Sequence, residues 1–393
     1  MTASTPSVIH IFIAFLRLGC TSFGGPVAHL AFFNEDLVKR RRWLDQSSYA
    51  QLMALCHFIP GPSSSQVGLG VGYTLQGWRG AVAAWLGFTL PSALLMACVA
   101  VGLLNNAALL SSQAIHFLKI VALVVVMQAI WQMSRTLLLN HVARCLCLLA
   151  AAVLLVVPTG VTQLAVLVVM GGIGFYYLKP QPIEVDDVCL PPLRYRSLLI
   201  GSIVFVGSFI VLAVLSMQIE HPLVSLVDSM YRSGALVFGG GHVVLPVLQQ
   251  EAISHSTVDS ELFLAGYGLA QAIPGPLFTF AAYVGALWFE GSPWLGAMVA
   301  TVAIFLPSFI LVPAVLPVWQ RIQYHRSARA ILAGVNVGVI ALLIAIFYQP
   351  LFVSTIMSTA DVAIALLAFC GLFYLRCPAW LLVIMALVAG SIF

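Results

Sequence analysis

The chain has 393 residues, of which 61% are hydrophobic and 8% charged, and its mean hydropathy is +1.05. Soluble proteins carry charge on about 25% of their residues, so a water-exposed enzyme, a disordered scaffold, a collagen-like fibre and a disulfide-stapled secreted module are all excluded. A net charge of +4 is too small to imply a nucleic-acid partner, and the expected solvent is membrane lipid.

A spanning helix needs about 20 apolar residues, which leaves room for about a dozen segments and no sizeable soluble domain. Met1 to Ser7 carries no side-chain charge and no cleavage site follows, so a removed signal peptide is not expected. The first apolar segment starts near Ser7, holds Arg17 ten residues in, and meets Gly24-Gly25-Pro26. A loop with Glu35, Asp36 and the run Lys39 to Arg42 with Trp43 follows, read as an interfacial anchor. Segments 49–60 and 63–76 flank Pro60-Gly61-Pro62. Each would span only about 20 Å at 1.5 Å per residue, so they are predicted to form a re-entrant hairpin. Then come a helix with Leu90-Pro91-Ser92, an uncharged stretch from Gly102 to Gln113, an apolar run holding Lys119, and a basic stretch from Arg135 to Arg144. Lys119 is read as a snorkelling stem. Residues 179–196 form the longest polar stretch, with four prolines and Glu184, Asp186 and Asp187.

Beyond it the pattern returns. Arg17 to Gly25 matches Arg232 to Gly240 at an offset of 215, Ile59-Pro60-Gly61-Pro62 matches Ile273-Pro274-Gly275-Pro276 at 214, and Leu90-Pro91-Ser92 matches Leu306-Pro307-Ser308 at 216. The chain therefore divides into homologous halves, 1–178 and 197–393, joined by a linker at 179–196 expected on the cytoplasmic side. The loop bias flips between copies: Lys39 to Arg42 correspond to a loop with Glu251, Asp259 and Glu261, Arg79 corresponds to Glu290, and the uncharged 102–113 stretch corresponds to Arg321, Arg326 and Arg329. Basic loops stay cytoplasmic, so the predicted fold is an all-α polytopic membrane protein built from inverted-topology repeats with broken or re-entrant helices. Keeping the basic loops on one side makes the F-G-G segments broken or re-entrant too; one long kinked helix at each is the competing reading.

An intramembrane arginine costs about 2.5–3.5 kcal/mol on insertion scales and is a functional candidate by default. Arg17 and Arg232 lie about 15 Å deep by helical rise, and two planar forks suit a doubly charged oxyanion. Snorkelling or packing against a carbonyl is the competing reading. Helices restarting at Pro26 and Pro62 would aim free N–H groups at the breaks. Candidate binding residues are thus Arg17, Arg232, Gly24, Gly25, Ser63, Ser64, Ser65, Gln66, Gly240, Gly241 and Thr279. The structural breaks are Pro26, Pro60, Gly61, Pro62, Pro274, Gly275 and Pro276, with close helix packing as the alternative role of the glycines. Proton-coupling candidates are His29, Glu35, Asp36, His57, His242 and Glu251. Eight cysteines without C-x-x-C spacing give neither a metal centre nor a disulfide framework. No nucleotide loop or H-E-x-x-H motif occurs, so no catalytic residue, metal or cofactor is expected and an enzyme is the weakest reading.

The strings SFGGPVAHL (Ser22 to Leu30), IPGPSSSQ (Ile59 to Gln66), FGGGHVVLP (Phe238 to Pro246) and FLAGYGLAQAIPGPLFTFAAYVG (Phe263 to Gly285) resemble the chromate ion transporter (CHR) family in its long, two-domain form. The likeness covers nearly the whole chain. Small departures are Ile59 and Ile273, where members often have Leu or Val, and His57, where Gln is usual. The resemblance implies a multi-pass protein of the bacterial cell membrane that exports chromate, confers chromate resistance and draws on the proton gradient. A sulfate or related oxyanion carrier and an anion channel are the alternatives. The implied partners are a chromate or sulfate-like dianion, protons and membrane lipid, with a homodimer left open.

Overall fold

The structure is a computed structural model that describes residues 6–106, 110–178, 195–238, 244–255, 258–323 and 325–392. The described residues contain helices and no strand, as a chain in lipid must close its backbone hydrogen bonds within each segment. In the first half these are α1 (Val8–Thr21), α2 (Gly25–Phe33), α3 (Gln46–Phe58), α4 (Ser63–Asn105), α5 (Ser112–Leu137), α6 (His141–Val156) and α7 (Gly160–Tyr177). A helix that belongs to neither repeat, α8 (Tyr195–Gln218), follows. The second half comprises α9 (Pro222–Leu236), α10 (Val244–His255), α11 (Ser260–Ala270), α12 (Phe280–Trp288), α13 (Pro293–Val315), α14 (Trp319–Ile322), α15 (Arg326–Ile346), α16 (Val353–Thr355), α17 (Thr359–Phe373) and α18 (Ala379–Ile392).

Each half opens with two hairpins that turn back inside the membrane. With 14 residues, α1 reaches about 21 Å and stops at the Ser22-Phe23-Gly24 break. Helix α2 turns back so that its last residue, Phe33, packs edge-on against Phe15 of α1 (5.5 Å) and Phe88 of α4 (5.0 Å). The second hairpin joins α3 to the first arm of α4 through Pro60-Gly61-Pro62. Asp45 caps α3 by accepting from the Ser48 N–H, and that bond with the Ser48 hydroxyl holds its carboxyl below the usual range. Helix α4 then breaks at Gln76 and Gly77, whose backbones are not helical. A Cβ on Gly72 would run into the Gly80 carbonyl, a contact possible only if arm 63–75 and arm 78–105 double back on each other. The second half repeats both devices: Ser229 of α9 donates to Glu251 of α10 at 3.0 Å, and Gly285 abuts Gly296 across the 289–292 turn. The first F-G-G segment is therefore a re-entrant hairpin and not one long kinked helix, and in the second half α9 and α10 likewise lie side by side.

Among the described residues six helices are long and apolar enough to cross a membrane, including Ser63–Asn105, Ser112–Leu137 and Arg196–Gln218. The shorter apolar α6, α17 and α18 complete the bundle. Arm 78–105, α5, α6 and α7 make an even number of crossings, so the first half starts and ends on one side. Helix α8 adds one more, and the second half therefore starts on the other side, which produces the inverted repeat. The halves interlock through matching small residues at a constant offset of 216: Gly174 of α7 packs on Ala330 of α15, and Gly390 of α18 on Ala114 of α5.

Candidate functional site

The three repeated motifs meet crosswise at the centre of the molecule. The Gly61 N–H donates to the Val237 carbonyl (2.7 Å), and its counterpart, the Gly275 N–H, donates to the Ser22 carbonyl (2.9 Å). Each Pro-Gly-Pro tip is thus held by the F-G-G break of the opposite half. Gly61 (φ 128°) and Gly275 (φ 97°) sit where only glycine is comfortable. A Cβ there would meet Ser308 Oγ at 2.9 Å and Ser92 Oγ at 2.8 Å respectively, so the serine of each L-P-S helix also reaches across to the other half. Gln66 braces the first tip by donating to the Pro60 carbonyl (2.6 Å) and to Ser308 Oγ (3.3 Å).

From this centre a cavity of about 1260 Å³ opens toward the end of α5 and the turn between α17 and α18. On the positive-inside rule this is the cytoplasmic side, which also carries Lys39 to Arg42, Arg135 to Arg144 and Arg321 to Arg329. The deep wall holds Gly24, Gly25, Pro26, His29, His57, Ser63 and Gly275; the outer wall holds Gln128, Gln132, Arg135, Asn336 and Arg376. Among the described residues no carboxylate lines it. His57 and Gln271, related by the repeat, both face the cavity, as do the related Ser63 and Leu277. The two half-sites are therefore unequal, polar in the first half and more apolar in the second.

Helix α4 starts at Ser63 with Pro62 as its cap residue and no side-chain cap, leaving first-turn N–H groups unfilled at the cavity floor. Ser63 is 3% exposed and its Oγ has no partner among the described residues, nor have Gln271 Nε2 and Asn336 Oδ1. Ser64 lies 3.4 Å from Nδ1 of the buried His29. The Ser63 hydroxyl and the Gln271 amide N–H groups are unfilled donors on the cavity wall that holds a helix start, as an oxyanion site requires, whereas Asn336 Oδ1 is an acceptor.

Other sequence candidates lie elsewhere. Arg17 is exposed on the face of α1 that carries Ile9 and Ile13, and it does not line the cavity. Arg232 does not line it either: Asp228, one turn earlier, holds its fork through Nε (3.0 Å) and Nη2 (2.6 Å), and Ser216 of α8 donates to the same carboxylate. Thr279 is spent on the Pro276 carbonyl at 2.7 Å. Ser65 is buried behind the floor. Pro60 and Pro62 flank the first tip and Pro274 and Pro276 the second, while Pro26 stands second, not first, in α2. Glu35 pairs with Lys39 at the surface (2.9 Å), Asp36 with Arg41 (2.6 Å), and Glu251 accepts from Ser229. Gly240, Gly241 and His242 lie outside the described residues. Lys119 does not snorkel: it is 2% exposed and reaches Glu261 of α11 at 2.9 Å, tying the halves on the side away from the cavity mouth.

Sequence reasoning missed Gln128, Gln132, Arg135, Gln271, Asn336 and Arg376. A signal was present in the spacing of Gln128, Gln132 and Arg135, which puts three polar side chains on one face of an apolar helix. Gln271 stands at the repeat position of His57.

Interrupted, inverted repeats closing around a central cavity define a multi-pass membrane protein of the transporter class. The chain belongs to the chromate transporter family, whose profile matches residues 9–175 and 224–391, one match per half with α8 between them. It is 27% identical to the chromate transport protein of Pseudomonas aeruginosa, covering 85% of this chain and 78% of that one. It is also 27% identical to the chromate transport protein of Cupriavidus metallidurans, over 93% and 87% of the two chains. With an uncharacterised transporter of Methanocaldococcus jannaschii it shares 28% identity over 87% and 84%. No solved structure matches.

Proposed function

We propose that the protein is a secondary active transporter that exports chromate across the cell membrane, uses the proton gradient and thereby confers chromate resistance. The observation that carries the reading is the cavity on the cytoplasmic side, which has no carboxylate among its described lining residues and ends at the uncapped start of α4 with the buried Ser63, whose hydroxyl has no partner among the described residues. Chromate is a tetrahedral dianion, and a helix start together with hydroxyl and imidazole donors matches its oxygens. The deep ligands are the amides of Ser63, Ser64 and Ser65, the Ser63 hydroxyl, His29 and His57, with Gly24 and Gly25 allowing close approach. Arg232 stands outside this set because Asp228 fills its fork. His29 and His57 are the titratable groups of the deep wall and the proposed proton carriers. Family membership and relatives described as chromate transport proteins support the substrate. Rocking of one half against the other about the crossed tip contacts would alternate access.

The test is chromate flux in proteoliposomes with imposed pH and voltage gradients and sulfate as competitor. Uphill chromate accumulation driven by the pH gradient is expected. Unitary currents without accumulation would make the protein a channel, and uphill sulfate movement without chromate movement would make it a sulfate carrier.

A further inference from the structure

Resting on that reading, we propose that Arg135 and Arg376 form a separate capture site for the oxyanion at the cytoplasmic mouth, loading the deep site from that side alone. The two arginines come from different halves and line the same cavity. Arg135 ends the polar face of α5 begun by Gln128 and Gln132, and Arg376 sits in the turn that closes α17, where the Cys377 N–H returns to the Gly371 carbonyl at 2.9 Å. Arg40 and Arg41 pair with Asp36 and Arg232 with Asp228; what sets Arg135 and Arg376 apart from the remaining described arginines is that these two line the cavity. Among the described residues Arg135 and Arg376 have no carboxylate partner, and no carboxylate lines the cavity between them. Two guanidiniums lining one cavity mouth raise the local concentration of a dianion and offer it planar forks.

The repeat supplies the argument for one-sidedness. At the constant offset of 216, Gln128, Gln132 and Arg135 correspond to Ile344, Tyr348 and Leu351 on α15 and its continuation, and Arg376 corresponds to Gly160. The opposite face thus carries none of these charges or amides at the matching positions. A transporter whose deep site is reached from both sides would gather its anion efficiently only from the cytoplasm. Arg135 also lies in the last turn of α5, where a cation suits the dipole, and both arginines could anchor topology; a role limited to that would leave anion affinity untouched.

The experiment compares wild type with Arg135→Gln, Arg376→Gln, the double variant and Arg144→Gln, an exposed arginine outside the cavity lining. Initial chromate flux is measured from each membrane face in oriented proteoliposomes at low and high salt. From the cytoplasmic face the double variant should raise KM about tenfold with the maximal rate within about twofold, and the salt dependence of the wild-type KM should flatten. KM from the outer face and all values for Arg144→Gln should stay at wild type. An unchanged cytoplasmic KM, an equal rise at both faces or an equal effect of Arg144→Gln would overturn the proposal. Trp131 lines the cavity beside Arg135, so quenching of its fluorescence by chromate in detergent, with Trp131→Phe as blank, reads capture without transport. Arginine-dependent quenching in a protein that moves no chromate would remove the transport reading and keep the capture site. Active transport with arginine-independent quenching would do the reverse.

Discussion

Gly61 and Gly275 show how narrow the choice of residue is at the centre. Both have a left-handed backbone that costs an alanine about 1–2 kcal/mol, and at both a methyl group would press on a serine of the other half. Gly61→Ala and Gly275→Ala are expected to insert and purify normally yet lose at least about tenfold in transport rate, measured as flux per reconstituted molecule. The fate of the arginines is a lesson at the same scale. Depth in an apolar run singled out Arg17 and Arg232, but depth does not show what a side chain is bonded to. Asp228 stands four residues before Arg232, one helical turn away, and its carboxylate takes the fork. Asp228→Asn should therefore lower the melting temperature in detergent, and adding Arg232→Gln should recover most of the loss, because the damage lies in the unpaired guanidinium. Arg135 was read as part of a basic loop that marks topology, and Arg376 stands alone between apolar segments with no local pattern to single it out.

Element lengths were the most legible feature of the sequence. The expected hairpin arms, 49–60 and 63–76, agree closely with α3 and with the arm that ends at Gln76 and Gly77, since a segment too short for the bilayer and bounded by Pro-Gly-Pro has few ways to end. What stayed hidden was pairing between elements far apart in the chain. Lys119 and Glu261 are separated by 142 residues, and no local pattern announces that α5 and α11 touch. The repeat positions of this pair are Val335 and Ser47, so the pair has no symmetric counterpart on the side of the cavity mouth. Glu261→Gln leaves a buried ammonium without its acid. It should lower thermal stability and shift cysteine accessibility toward opening of the outer face, whereas Lys119→Met combined with Glu261→Gln should restore the melting temperature and keep the outer face loosened.

For the molecule as a whole, the flip of charge bias between copies predicted inversion, and the structure supplies its cause in α8, the odd crossing between two even sets. In a cysteine-free background, Arg42→Cys should react only with reagent added from the cytoplasmic side and Glu290→Cys only with reagent added outside. Labelling of both from one side would require α8 to lie flat on the membrane. The sequence did not reveal that the halves are woven together, because repeats announce likeness and not contact.

The crossed bonds from Gly61 to Val237 and from Gly275 to Ser22 make each half the custodian of a backbone donor belonging to its twin. Split within 179–194, the chain should yield two fragments that are inert when made alone and active when made together in one cell. A monomer of this kind behaves as a dimer that has been tethered, and its tether is the one helix with no counterpart.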